Sequence, residues 1–122
     1  MNELKFPDKF LFGTAVASYQ VEGGIYNNDW TIWENKKNSV CVEPCNEACN
    51  HYELIDEDIN LLKTLGIKAF RFSIEWSRVE PNEGSFDNDA INHYVEKAKK
   101  LIFNNITPIT VSYTHLRAHE TR

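Results

Sequence analysis

Apolar residues recur along this chain at two different periods, and the switches between them mark its elements. In "YELIDEDINLLKTLG", Ile55, Ile59 and Leu62 fall on one face at helical spacing, with Leu61 and Leu65 beside them. That spacing predicts a helix, and Gly66 stands where a helix C-cap belongs. "IKAFRFSIEW" then changes to period two: Phe70, Phe72, Ile74 and Trp76 alternate with Arg71, Ser73 and Glu75. This is the pattern of a strand with two distinct faces. "DNDAINHYVEKAKKLIFNN" returns to helical spacing, with a stripe of Ile91, Tyr94, Val95, Ala98, Leu101 and Ile102. Its acids come early and its lysines late, as the helix macrodipole favours. "ITPIT" opens a further strand. Upstream, "FLFGTAVASYQVEG" is apolar and small, and reads as a strand of about five residues entering a loop. Between them, from about Gly23 to Asn50, runs a polar stretch too long for a simple turn, and loops of that length are usually functional.

The resulting order is strand, helix, strand, helix, strand. Consecutive strands joined through helices run parallel with right-handed crossovers. The expected fold is therefore a parallel α/β sheet, either open or closed into a barrel.

Composition narrows this only slightly. The chain has 122 residues, 42% hydrophobic and 25% charged, which is ordinary for a globular domain or part of one. A net charge of −5 argues against a nucleic acid or an anionic membrane as partner. No apolar window is long enough to span a bilayer, and "MNELKFPDKF" does not read as a signal peptide. Three cysteines within nine residues, Cys41, Cys45 and Cys49, do not resemble a secreted disulfide framework. A cytoplasmic location is the resulting expectation.

Several residues could carry chemistry. Arg71 lies mid-strand in a sheet whose two faces should both be covered. A guanidinium there needs a carboxylate, and Glu75 on the same face is roughly 13 Å along the strand. A structural ion pair and a functional contact both remain open. Gly13, Thr14, Ala15, Ala17 and Ser18 crowd small side chains at a strand's C-terminal end, leaving room for a ligand. Gln20 follows, with donor and acceptor atoms on one planar amide. It suits vicinal hydroxyls, or it is a polar turn residue. Trp30 and Trp33 could stack on a sugar ring or pack beneath the loop. The C-x3-C-x3-C run lacks the pairing of a zinc site and is interrupted by Pro44, so free thiols are expected. Asp56, Glu57 and Asp58 read as a solvated helix face, Glu80 and Glu83 as surface carboxylates, and His93 as exposed.

Taken together, "FLFGTAVASYQVEGG", "NNDWTIWE", "CVEPCNEACNHY" and "LGIKAFRFSIEWSRVEPNEG" resemble the N-terminal third of glycoside hydrolase family 1, the β-glucosidase family. The resemblance runs from about Phe6 to Thr110. It implies that this is the N-terminal part, about three βα units, of a (β/α)8 barrel that hydrolyses β-D-glycosides with retention. Retention needs two carboxyl groups about 5–5.5 Å apart. The family's glutamates lie in T-x-N-E-P and T-E-N-G motifs, neither of which occurs in this sequence. Two roles do carry over by resemblance. Gln20 matches the glutamine that hydrogen-bonds sugar hydroxyls, and Arg71 matches the arginine that contacts the nucleophilic glutamate. The resemblance implies a small β-glycoside or oligosaccharide as substrate and no cofactor. A 6-phospho-β-glycoside, or a non-catalytic carbohydrate-binding relative, are the alternatives.

The family pattern would place a sugar-binding histidine at position 114. Thr114 stands there and His115 is one residue late, so that role is not carried over. Residues 1–110 are thus expected to be the barrel portion. "VSYTHLRAHETR" resembles a translated sequencing adapter, so residues 111–122 are expected to be a non-native tail. Both catalytic glutamates are expected beyond this sequence, leaving the polypeptide inactive by itself.

Overall fold

Each long helix is stopped by a local signal at its C-terminal end, and the second is also capped at its start. The structure, a computed structural model, describes residues 5–112, so Thr114, His115 and the rest of the expected tail from 113 lie outside the described residues. Strand β1 (Gly13–Ala15) is followed by short helix α1 (Ser18–Val21) and then α2 (Asp29–Glu34). Helix α3 (Ile55–Thr64), strand β2 (Ala69–Ile74), short helix α4 (Trp76–Val79), helix α5 (Asn88–Phe103) and strand β3 (Thr107–Ser112) complete the order. Asp87 caps α5 by accepting from Asp89 N–H at 2.8 Å and Ala90 N–H at 3.1 Å. Both α3 and α5 end in the same motif. Gly66 (φ 72°) and Asn105 (φ 58°) take the left-handed conformation. Ile67 N–H then reaches Leu62 C=O, and Ile106 N–H reaches Leu101 C=O, each at 3.0 Å.

The sheet has the order β1-β2-β3, and all pairs are parallel. The register sets Ala15 beside Arg71, and Arg71 beside Ile109. Gly13 pairs with Ala69, and a Cβ at Gly13 would lie 2.6 Å from the Ala69 carbonyl oxygen, so this close approach requires glycine. The core lies between β2 and the two long helices. Phe70 and Phe72 from β2 pack with Ile55, Ile59 and Leu62 from α3, and with Tyr94 and Leu101 from α5. β2 is largely buried, whereas β1 and β3 expose most of their residues. Both outer strands are therefore edges.

Several expectations need correction. The first strand is three residues long, because the chain turns into α1 as soon as Ser18 meets Ser73. The stretch from Gly23 to Asn50 is not all loop: Asn28, fully buried, caps α2 by accepting from Thr31 N–H at 3.0 Å. Trp76 starts α4 instead of ending β2. The inward face of α5 is Ala90, Tyr94, Lys97 and Leu101, so Val95 and Ile102 are exposed and a lysine lies in the core. Glu80 is buried, not a surface group. It accepts from Trp76 Nε1 and from Gly84 N–H, each at 2.8 Å. Asp58 is half-buried against His51, unlike exposed Asp56 and Glu57. His93 is half-buried too, stacked on Tyr52 at a centroid distance of 3.7 Å.

Candidate active site

The C-terminal ends of β1 and β2 are tied together by polar contacts, and these place Gln20. Val16 N–H donates to Arg71 C=O at 3.0 Å. Ser18 N–H donates to Ser73 Oγ at 2.6 Å, and Ser18 Oγ donates to Glu75 Oε2 at 2.8 Å. Glu75 is 3% exposed and also accepts from Ser77 Oγ at 2.7 Å. These bonds fix the first residue of α1, and Gln20 follows two positions later, exposed on that helix.

Gln20 lines a cavity of about 500 Å³, together with Ser18, Tyr19, Trp30, Glu34 and Ser73 among others. Trp30 reaches it from α2, held edge-to-face against Trp33 at 5.2 Å. Tyr19 meets Thr31 Oγ1 at 3.2 Å, and its phenol is raised well above its ordinary pKa by burial and by nearby Glu34. Arg71 is half-buried in β2, two positions before Ser73 and on the same side of the strand. Of the sequence-derived pair, Gln20 lies on α1 just beyond β1, and Arg71 lies in the middle of the adjacent strand β2. Gln20 lines the cavity itself, and Arg71 sits deeper along the strand from Ser73.

Behind α1 lies a buried charge network that the sequence reading missed. Glu22, 1% exposed, accepts from Tyr94 Oη at 3.0 Å and from Arg78 Nε at 3.1 Å. Burial raises the Glu22 pKa, outweighing the pull of Lys97 and Arg78. Arg78 also donates to Gly23 C=O, and its guanidinium lies 4.1 Å from the centre of the Tyr52 ring. Tyr94 Oη in turn accepts from Glu75 N–H at 3.1 Å, which links this network to the Ser18 anchor. His51 Nδ1 bonds Asp58, and His51 Nε2 meets Lys97 Nζ at 2.8 Å. Lys97 is 2% exposed, over the Phe72 ring at 4.2 Å, and burial pushes its pKa down to about 8. Burial and Lys97 lower the His51 pKa, so Nδ1–H donates to Asp58 and Nε2 accepts from Lys97. His51 N–H donates to Val21 C=O at 2.9 Å, so the network holds α1 from below as β2 holds it from the side.

One signal for this network was present in the sequence. Lys97 completes the spacing Ala90, Tyr94, Lys97, Leu101, and only its charge removed it from the apolar stripe. Glu22 and Asn28 carry no comparable signal.

Parallel strands with helical crossovers, and a polar-and-aromatic cavity at the strands' C-terminal ends, define part of an α/β barrel of the kind that holds its ligand at that face. The sequence profile of Glycosyl hydrolase family 1 matches residues 2–117, and the chain belongs to that family. β-Glucosidase A of Acetivibrio thermocellus is 35% identical over 121 residues, spanning 93% of this chain and 27% of that protein. The β-glycosidase of Pyrococcus horikoshii superposes with a TM-score of 0.80 at 46% identity, over 88% of this chain and 25% of that one. The β-glycosidase BGL167 gives a TM-score of 0.86 at 37% identity, over 92% of this chain and 27% of that one. The chain thus spans 27% of the length of β-glucosidase A of Acetivibrio thermocellus and 27% of that of β-glucosidase A of Thermotoga maritima. Its described residues fold as three parallel strands joined by two helical crossovers, the N-terminal part of their (β/α)8 barrel.

Proposed function

We propose that this chain supplies the N-terminal part of a retaining β-glycosidase, with neutral β-glucosides or β-galactosides as substrates. Gln20 hydrogen-bonds sugar hydroxyls, and Arg71 contacts the nucleophilic carboxylate. That carboxylate and the acid/base partner come from beyond this sequence, so the polypeptide alone does not turn over substrate.

The observation that carries this reading is the position of Gln20. Gln20 lines a cavity of about 500 Å³ together with Trp30, an aromatic residue of the kind that stacks on sugar rings. The described lining includes the carboxylates Glu34 and Glu43 and no lysine or arginine. That favours a neutral glycoside over a 6-phospho-glycoside, whose phosphate would face two acids.

A chimera tests the reading. Residues 1–110 replace the matching segment of β-glucosidase A of Thermotoga maritima, to which the chain is 37% identical. Hydrolysis of p-nitrophenyl β-glucoside is expected. Gln20→Ala should lower kcat/KM roughly 10- to 100-fold, the loss of two hydrogen bonds of about 1 kcal/mol or more each. A folded chimera whose kcat/KM is unchanged by Gln20→Ala would overturn the role of Gln20.

A further inference from the structure

The same cavity has a second chemical character. Cys41 and Cys45 both line it, four residues apart and half-buried, whereas Cys49 is exposed and does not. All three are free thiols. The Cys45 backbone N–H donates to both oxygens of Glu34, at 3.3 and 3.2 Å, and Cys41 N–H donates to Ser39 Oγ at 3.1 Å. Both cysteines are thus held by their own backbones while their thiols remain unbridged.

We propose that Cys41 and Cys45 form a dithiol site in the cavity wall, which takes a bidentate thiophilic ligand of the trivalent monoaryl-arsenical class. The reaction is an exchange without oxidation. An aryl arsine oxide, ArAs=O, meets two thiols, two As–S bonds form, and the two thiol protons leave with the oxygen as one water molecule. The wall suits this class for three reasons. Both cysteines line one cavity, so the second As–S bond closes within the molecule at high effective concentration. The aryl group has the Trp30 ring as an apolar neighbour. Burial, Glu34 and Cys41 raise the Cys45 pKa, which keeps that thiol protonated and makes it a poor target for thiolate-dependent alkylation. Arsenical exchange consumes the thiol proton and is not limited in that way.

The site overlaps the cavity assigned above to the glycoside, so a bound arsenical displaces sugar; this last step rests on that assignment.

The experiment uses the full chain with phenylarsine oxide in the presence of excess glutathione, which strips singly bonded arsenic. Intact mass spectrometry should show one adduct with loss of one water. Cys41→Ser and Cys45→Ser should each abolish it, and Cys49→Ser should leave it. The adduct should also resist glutathione at least roughly tenfold better in the native chain than in urea, because the fold holds both thiols at one cavity. No adduct, an adduct that survives either Cys41→Ser or Cys45→Ser, or equal resistance in urea would overturn the site. Millimolar cellobiose should slow adduct formation. Adduct formation at an unchanged rate would overturn the displacement step and count against the glycoside assignment, while the dithiol site would stand.

Discussion

Lys97 gives the sharpest test of the buried network, because one substitution should erase a defined pH dependence. Its ammonium is enclosed by β2 through Phe70 and Phe72, by His51 just ahead of α3, by Asp58 on α3 and by Glu22 beyond α1. Burial lowers its pKa from 10.5 to about 8. At about 1.36 kcal/mol per unit, that shift corresponds to about 3 kcal/mol of unfavourable folding free energy while the amine is charged. The sign follows from proton counts. Below about pH 8 both states hold the proton and the whole cost is present. Between about 8 and 10.5 the unfolded chain still holds it and the folded chain has lost it, so stability rises with pH. From pH 8 to pH 10 the gain is roughly 2 kcal/mol. Lys97→Met removes the titrating group with little change in volume. At pH 8 the relief of desolvation is offset by the lost donor to His51 Nε2, about 1–3 kcal/mol, so net stability should change little. Tyr19, Tyr26, Tyr52 and Tyr94 have raised pKa values and lower stability at higher pH in both proteins, so they cancel in the difference. The assay is urea unfolding of wild type and Lys97→Met at pH 8, 9 and 10. Wild type should gain roughly 2 kcal/mol on the variant across that range. A difference that stays flat would refute the burial argument.

Gly23→Ala should destabilise by on the order of 3 kcal/mol or more in urea unfolding, since φ is +77° and a Cβ would lie 2.1 Å from the Glu47 carbonyl oxygen; Gly24→Ala, with open space around it, should cost about 1 kcal/mol in the same assay. His51 and His93 have lowered pKa values, His93 to about 4, so the folded chain stays neutral where the unfolded chain protonates, and stability should fall as pH drops from about 6.5 toward 4. Glu22, with its raised pKa, works in the opposite direction at pH values above its ordinary 4.5, where the folded chain takes up the proton first; His93→Phe keeps the stack on Tyr52 and should flatten the acid limb of urea midpoints. With β1 and β3 both exposed as edges, sedimentation velocity should show concentration-dependent association, and a monomer with sharp cooperative unfolding would contradict it.

The architecture was legible where it rests on local pattern. Alternation around Phe70 and Phe72, the α3 stripe and the turn at Gly66 are properties of neighbouring residues, and each appears where the sequence places it. Helices α1 and α4 were not legible, because four residues cannot show a helical period. The buried charges were not legible for a different reason. Glu22 meets Tyr94 across 72 positions and Arg78 across 56, and Lys97 meets His51 across 46. Residue types that usually face water are buried here only because partners arrive from distant elements. Gln20 and Arg71 were singled out by strand context and resemblance. The structure adds the Ser18–Ser73–Glu75 anchor that places α1, and the cavity that Gln20 lines.

The most direct measurement is proton NMR of glycoside cleavage by the chimera that carries residues 1–110 of this chain. Release of the β-anomer of the sugar first, followed by slow mutarotation, is the expected result. First release of the α-anomer, or a well-folded chimera that cleaves no β-glycoside, would contradict the assignment of this chain to a retaining β-glycosidase.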